Sequence, residues 1–259
     1  MGEMLAVLLA RDMDDGDKAI VGTNSDIQVA ACNLARASHA PQLWWVSGPG
    51  GMTNPTEGVI RPAADAENVC VSSSQYDLPM MIDFIDWKIH FFDFAILGAL
   101  QTDMYGNINT VVVGDHTKPT LRGPGTVGIS ALTGLSKRFY IMMTRHDRGA
   151  FVEKVDFISG VGHKNGGESR VESGLPSGGP RLVVTPLGVF DFAEESKTMR
   201  IKSLHPGVGL EEVQDATGFE LIANGTPPIT AIPTSSELNT LRSTVDRSGV
   251  LPAKFPWPK

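Results

Sequence analysis

Apolar residues recur at helical spacing over residues 4–11, and the acidic break "DDGD" at 14–17 ends that run. "KAIVGT" then predicts a short buried strand, and "NSDIQVAACNLARAS" predicts a helix with Asn24 or Ser25 as its N-cap. "LWWVSG", "NVCVSS", "FDFAILGA" and "NTVVVG" follow as further strands, most of them apolar at consecutive rather than alternate positions. Strands of that kind are buried on both faces, so the first half predicts an α/β fold with an open, mainly parallel sheet flanked by helices.

The second half changes its pattern. "RFYIMMT", "VDFIS", "RLVVTPLGVFDF" and "TMRIKSLHP" predict strands, and "GLEEVQDATG" predicts a late helix that stops at Gly218. The Gly- and Ser-rich, charged stretch between Gly160 and Pro180 predicts an exposed loop. No internal repeat and no clear linker is evident, so residues 1–259 are expected to form a single domain. From about residue 250 the apolar, proline-rich "LPAKFPWPK" predicts an extended tail lying on another surface, such as a second subunit.

Composition narrows the function classes. With 259 residues and 41% hydrophobic content the chain can bury a sizeable core, and a formal charge of −7 argues against a nucleic-acid partner. Cys32 and Cys70 sit in apolar segments without metal-ligand spacing, which reads them as small core residues in a reducing, cytoplasmic compartment. "MLAVLLA" is too short for a membrane span and is flanked by acidic residues, so neither a leader nor a membrane partner is expected. The six histidines show no paired ligand spacing, and no metal site is expected.

Four stretches carry candidate chemistry. "LWWVSGPGGMTNP", Leu43–Pro55, runs from an apolar strand into a glycine-rich turn where α/β enzymes place reactive groups, yet it holds no acid, Cys or His. "GPGTVG", Gly123–Gly128, fits a dinucleotide fingerprint poorly because "DHTKPTLR" separates it from its strand; its amides could still face an oxyanion. "GALQTDMYGNINT", Gly98–Thr110, gathers Gln101, Asp103, Asn107 and Asn109, either at a ligand site or in a hairpin turn held by Asx bonds. "RHDRG", 145–149, reads as a solvated turn in which Arg145 or Arg148 could hold an anion or a partner.

Together with "RGPGTVGISAL", "FVEKVDFIS", "VVTPLGVFDF" and "SLHPGVGLEEVQDATGFEL", that third stretch resembles the β subunits of class I CoA-transferases of the glutaconate and 3-oxoacid type, in the same order along nearly the whole chain. The resemblance implies the open CoA-transferase-type α/β fold and an α subunit as partner, often as an α2β2 heterotetramer. It also implies an acyl-CoA substrate and no cofactor, since coenzyme A enters as part of the substrate. In the transferases a glutamate in an E-x-G-G turn carries CoA covalently. Aligned on Gly50 and Gly51, this sequence has Gly48 in that seat and Pro49 beside it.

A glycine cannot form the thioester that ping-pong transfer requires. Such a departure resembles the steroid-ring-cleaving branch, the β subunits of cholesterol ring-cleaving hydrolases. There the resemblance implies retro-Claisen opening of a cyclic 3-oxoacyl-CoA, with a glutamate of the α subunit as base and no catalytic residue on this chain. Gly48, Pro49, Gly50 and Gly51, the polar residues Gln101, Asp103, Asn107 and Asn109, and the loop Gly125, Thr126, Val127 and Gly128 are then expected to line the substrate site. Val127 departs from the small residue usual in that loop. A CoA-transferase subunit and a non-catalytic structural subunit are the competing readings.

Overall fold

The structure, a computed structural model, describes residues 1–23, 25–48, 51–55, 59–77, 89–223 and 225–256. In chain order the first elements are α1 (Gly2–Ala10), β1 (Lys18–Val21), α2 (Asp26–Ser38), β2 (Trp44–Ser47), β3 (Met52–Thr53), β4 (Ser74–Gln75) and β5 (Phe94–Leu97). The hairpins β6 (Gln101–Thr102) with β7 (Ile108–Asn109) and β8 (Val112–Gly114) with β9 (Pro119–Arg122) come next, then α3 (Ile129–Leu135), β10 (Arg138–Met142) and α4 (Ser169–Glu172). Strands β11 (Pro180–Val184), β12 (Gly188–Phe192) and β13 (Met199–Leu204) precede α5 (Leu210–Asp215), α6 (Ser235–Thr240) and α7 (Val250–Lys254).

The chain divides into two compact units, 1–96 with 232–259, and 97–231. In the first, β1 pairs in parallel with β2 and β5, and β2 turns back through antiparallel β3 and β4. Ala19, Ile20, Val21, Trp45, Val46 and Phe94 are fully buried, as strands covered on both faces require. α2 supplies Ala30, Ala31, Cys32 and Ala35 at full burial, small side chains that let it pack closely. Asn33 on α2 accepts from Trp45 Nε1 (2.9 Å), and Asn54 accepts from Trp45 N (2.8 Å), which fixes strand β2 and its turn.

The C-terminal helices clamp this unit. Arg11 pairs with Glu237 (2.6 Å), Arg242 with Glu3 (2.7 Å) and Lys254 with Asp26 (2.6 Å). The tail expected to be extended instead forms α7, because Asp246 accepts from the amides of Val250 and Leu251 (2.8 Å each) and Leu251 is fully buried. Residues 257–259 lie outside the described residues.

In the second unit β10 and β11 are parallel, while β11, β12 and β13 are successive antiparallel partners. The α/β fold is therefore as expected, but the sheet is mixed rather than mainly parallel, since short connections such as 185–187 can only return a strand antiparallel. "NVCVSS" forms a 3₁₀ turn, Ala66–Val71, started by Asp65 accepting from Glu67 N, and Cys70 is exposed rather than core. Cys32 is buried as expected.

The stretch from Gly160 to Pro180 is not a free loop. Arg170, 2% exposed, donates to the carbonyls of Thr133, Gly134, Val161, Gly162 and Pro176 and so staples it down. Among the described residues no helix is long and apolar enough to cross a membrane.

Candidate functional site

The expected site residues fall in both units, and each group has its own geometry. In the first unit the turn after β2 is closed by Gly51 N donating to Ser47 O (3.1 Å), with Gly48 N on Val21 O (3.0 Å). Gly48 is half-buried, its φ lies outside the left-handed region, and a Cβ there would meet Ile20 and Val21 at 3.5 Å, an ordinary contact. Gly51 is different. Its φ is +60° and a Cβ would lie 2.2 Å from Tyr76 O, so only glycine fits. Pro49 and Gly50 lie outside the described residues.

The hydroxyls on this hairpin are committed elsewhere: Ser47 Oγ donates to Ala63 O (2.5 Å), and Thr53 Oγ1 lies 2.7 Å from Ser74 Oγ, with Ser47 and Thr53 both buried. The hairpin thus offers no carboxylate, thiol, imidazole or uncommitted hydroxyl to attack a thioester.

In the second unit the polar residues of "QTDMYGNIN" form the β6–β7 hairpin. Asp103 Oδ1 accepts from the amides of Tyr105 and Asn107 (3.0 Å each), and its Oδ2 accepts from Asn107 Nδ2 (2.8 Å). Burial pushes the Asp103 carboxyl up, opposed by these hydrogen bonds. At the other end Asn109 Nδ2 donates to Gln101 Oε1 (2.7 Å), and Gln101 Nε2 donates to Asp156 Oδ2 (2.9 Å). All four expected residues are buried at 4% exposure or less. The Asx-turn reading describes their bonding, and their hydrogen bonds fix the hairpin and the segments beside it.

Next to the hairpin's end lies the glycine loop. Gly123 N donates to Val111 O (2.8 Å) and Gly125 N to Thr110 O (3.1 Å), while the Thr110 hydroxyl donates to Gly125 O (2.7 Å). Beyond that tether Gly125 (φ +101°) and Gly128 (φ +76°) take backbone that glycine favours, and Val127 is 97% exposed. Among the described residues the amides of Thr126, Val127 and Gly128 donate to nothing, which leaves adjacent N–H groups available to an oxyanion.

Sequence reading missed two of the loop's supports. "VDFIS" is no strand but an irregular segment whose Ser159 Oγ accepts from Thr110 N (2.9 Å) and whose Asp156 accepts from Gly114 N (2.8 Å). Its signal was the pair of polar residues bracketing Phe157 and Ile158, which are left exposed.

The "RHDRG" turn holds an unexpected core histidine. His146 stacks on Phe151, with centroids 3.7 Å apart, and lies 3.0 Å from both Thr185 Oγ1 and Thr217 Oγ1. Because Thr217 gives its own proton to Val213 O (2.7 Å), His146 carries its proton on Nε2 and accepts from Thr185 at Nδ1. Burial, opposed by Asp147, lowers its pKa from 6.5 to about 4.

A depressed histidine stabilises the fold above its unfolded pKa and loses that contribution as pH falls from about 6.5 towards 4. Between pH 7 and pH 5 the loss should be about 2 kcal/mol. Urea unfolding of wild type and His146→Gln at both pH values checks this, and an equal pH slope in the two proteins would remove the assignment.

The comparisons with known proteins agree with this architecture. Residues 87–216 match the family described as Coenzyme A transferase. The chain is 35% identical over 244 residues to a subunit of the 3-oxoadipate CoA-transferase of Pseudomonas knackmussii, covering 93% of this chain and 91% of that one. It is 28% identical to the cholesterol ring-cleaving hydrolase IpdB subunit of Mycobacterium bovis, covering 94% of each. Among solved structures, glutaconate coenzyme A-transferase from Acidaminococcus fermentans superposes with a TM-score of 0.87 at 25% identity over 96% of each chain. On a family match that spans half the chain and a relative that spans nearly all of it, this protein belongs to the coenzyme A transferase family.

Proposed function

We propose that the chain is the β subunit of a heteromeric acyl-CoA enzyme, paired with an α subunit as α2β2, that hydrolytically opens the ring of a steroid-derived cyclic 3-oxoacyl-CoA. The observation that carries this reading is the β2–β3 hairpin, where a CoA-carrying transferase needs a nucleophile and this chain has Gly48 among committed hydroxyls. In the proposed reaction water adds to the ring ketone, the bond from that carbon to the thioester α-carbon breaks, and its electron pair becomes a thioester enolate. Protonation of the α-carbon gives a carboxylic acid and an open-chain CoA thioester. A base must take the water proton, which the reading assigns to a glutamate of the α subunit, and negative charge must be held as it develops. The amides of Thr126, Val127 and Gly128 suit the second task. The 28% identical relatives named cholesterol ring-cleaving hydrolase IpdB subunit support the reading.

A second reading, CoA transfer, is favoured by the 35% identity to a 3-oxoadipate CoA-transferase chain. It requires a covalent CoA carrier outside this hairpin. Turnover of the αβ complex on a cyclic 3-oxoacyl-CoA separates the two: ring-opened acid without exchange onto acetate or succinate supports hydrolysis, and exchange without ring opening supports transfer.

A further inference from the structure

Among the described residues one large apolar side chain stands almost wholly in the open: Val127, 97% exposed, on the glycine loop between Gly125 and Gly128. The loop's attachment is fixed, with Gly123 N on Val111 O (2.8 Å) and the Thr110 hydroxyl on Gly125 O (2.7 Å). The space around Gly125 is open, since a Cβ there meets nothing within 4 Å. Val127 has no positive φ, so the backbone does not dictate which residue stands at this position. A lone exposed apolar residue is common and explains nothing by itself. What singles Val127 out is the amide it carries.

That amide, like those of Thr126 and Gly128, donates to nothing among the described residues. Within one residue Cβ lies about 2.5 Å from its own N, as the standard N–Cα length and near-tetrahedral angle require. An oxygen accepting from Val127 N at about 2.9 Å therefore lies no more than about 5.5 Å from Val127 Cβ. Carbons one or two bonds beyond that oxygen come within reach of the valine methyls, at a contact distance of about 4.0–4.5 Å. Both oxygens that gather charge in the proposed ring opening meet this condition. The ketone oxygen sits on a ring carbon, and the thioester enolate oxygen is two bonds from one.

The neighbouring chain has the same character. Phe157 and Ile158, both exposed, directly precede Ser159, whose hydroxyl binds Thr110. Leu121, which pairs with Val113, is exposed two residues before Gly123. Residues 123–128 carry no charge, and the adjacent Arg122 donates to His116 O (3.2 Å). A few donor groups set among apolar side chains are what a small-molecule site needs to orient a hydrophobic ligand.

We propose that Val127 is a specificity-determining residue, its side chain packing on the hydrocarbon ring of the acyl group while its amide holds the developing negative charge. The inference rests on the proposed function and narrows its substrate class: the ring beside the reacting carbonyl is uncharged and apolar where it meets the loop.

The test compares two rings of one shape, 2-oxocyclohexane-1-carboxyl-CoA and its analogue with an ether oxygen in place of a ring CH₂ remote from the ketone. Both are turned over by the purified αβ complex carrying wild type, Val127→Thr or Val127→Ala. Val127→Thr keeps the β-branched shape and the amide while adding a hydroxyl, and at so exposed a position neither variant should change the melting temperature. Wild type is expected to favour the carbocycle in kcat/KM. Val127→Thr should move the ratio of the two substrates about tenfold toward the ether ring. Val127→Ala should lower kcat/KM on the carbocycle about tenfold, through the loss of two methyl contacts. Ring opening by wild type with an unchanged ratio in Val127→Thr overturns the inference and leaves the proposed function standing. Wild type that opens neither ring overturns both. Loss of the α subunit from either variant also overturns the inference, since Val127 would then be a docking residue.

Discussion

Gly48→Glu should lower ring opening on the order of 100-fold or more while leaving assembly and melting temperature close to wild type. The backbone at Gly48 is compatible with any side chain, and the space at Cβ begins at an ordinary 3.5 Å contact, so the fold has no reason to resist the change. The new carboxylate instead occupies the seat that the proposed reaction leaves for the ring or its water. On the proposed reading it would also lie near the α-subunit base and raise that base's pKa by like-charge repulsion. Gly48→Ala is the control, expected to be near wild type in both stability and turnover. Wild-type activity in Gly48→Glu would place this turn outside the substrate site.

The second large effect belongs to the glycine loop. A Cβ on Gly123 would lie 2.2 Å from Thr110 O and 2.6 Å from Leu100 Cδ1, and Thr110 O is the acceptor that tethers Gly125. Gly123→Ala must therefore push the loop off the hairpin, with a cost of about 1–3 kcal/mol in stability. Activity should fall on the order of 10²–10³-fold, the usual effect of losing an oxyanion donor. A Cβ on Gly125 meets nothing within 4 Å, so Gly125→Ala adds only backbone strain of about 1–3 kcal/mol at φ +101°. Parallel kcat/KM and melting measurements should rank the activity loss Gly123→Ala above Gly125→Ala; the reverse order would show that the tether does not set the loop's chemistry.

The sequence was most legible where burial repeats along one element. The apolar runs around Ile20, Trp45, Phe94, Tyr140 and Val183 became buried strands, because a strand covered on both faces needs apolar residues at every position. It was least legible where a single polar side chain decides the path. Asp65 turns "NVCVSS" into a 3₁₀ segment, Asp246 converts the tail into a helix, and Arg170 draws a Gly-rich loop inward through carbonyls far apart in sequence. None of these leaves a periodic trace.

The candidate site divides in the same way. The glycine turn at Gly125 and Gly128 could be read from residue type, since both take a backbone that glycine favours, and the lack of an acid, Cys or His around Gly48 could be read directly; that Gly48 stands in a nucleophile's seat came only from the family resemblance. The roles of Gln101, Asp103, Asn107 and Asn109 could not, because ligand-facing and inward-bonded amides share one composition. In the structure all four are buried and hydrogen-bonded to their neighbours.

If this subunit shapes an acyl-CoA site without carrying CoA itself, the most direct test is the intact mass of this chain, taken from the αβ complex quenched during turnover of a cyclic 3-oxoacyl-CoA. Hydroxylamine and borohydride trapping run in parallel would capture a glutamyl or other acyl thioester. The expected result is the unmodified mass at every time point while ring-opened acid accumulates. A CoA-sized adduct on this chain, forming and decaying at the rate of turnover, would contradict it and restore the transferase reading.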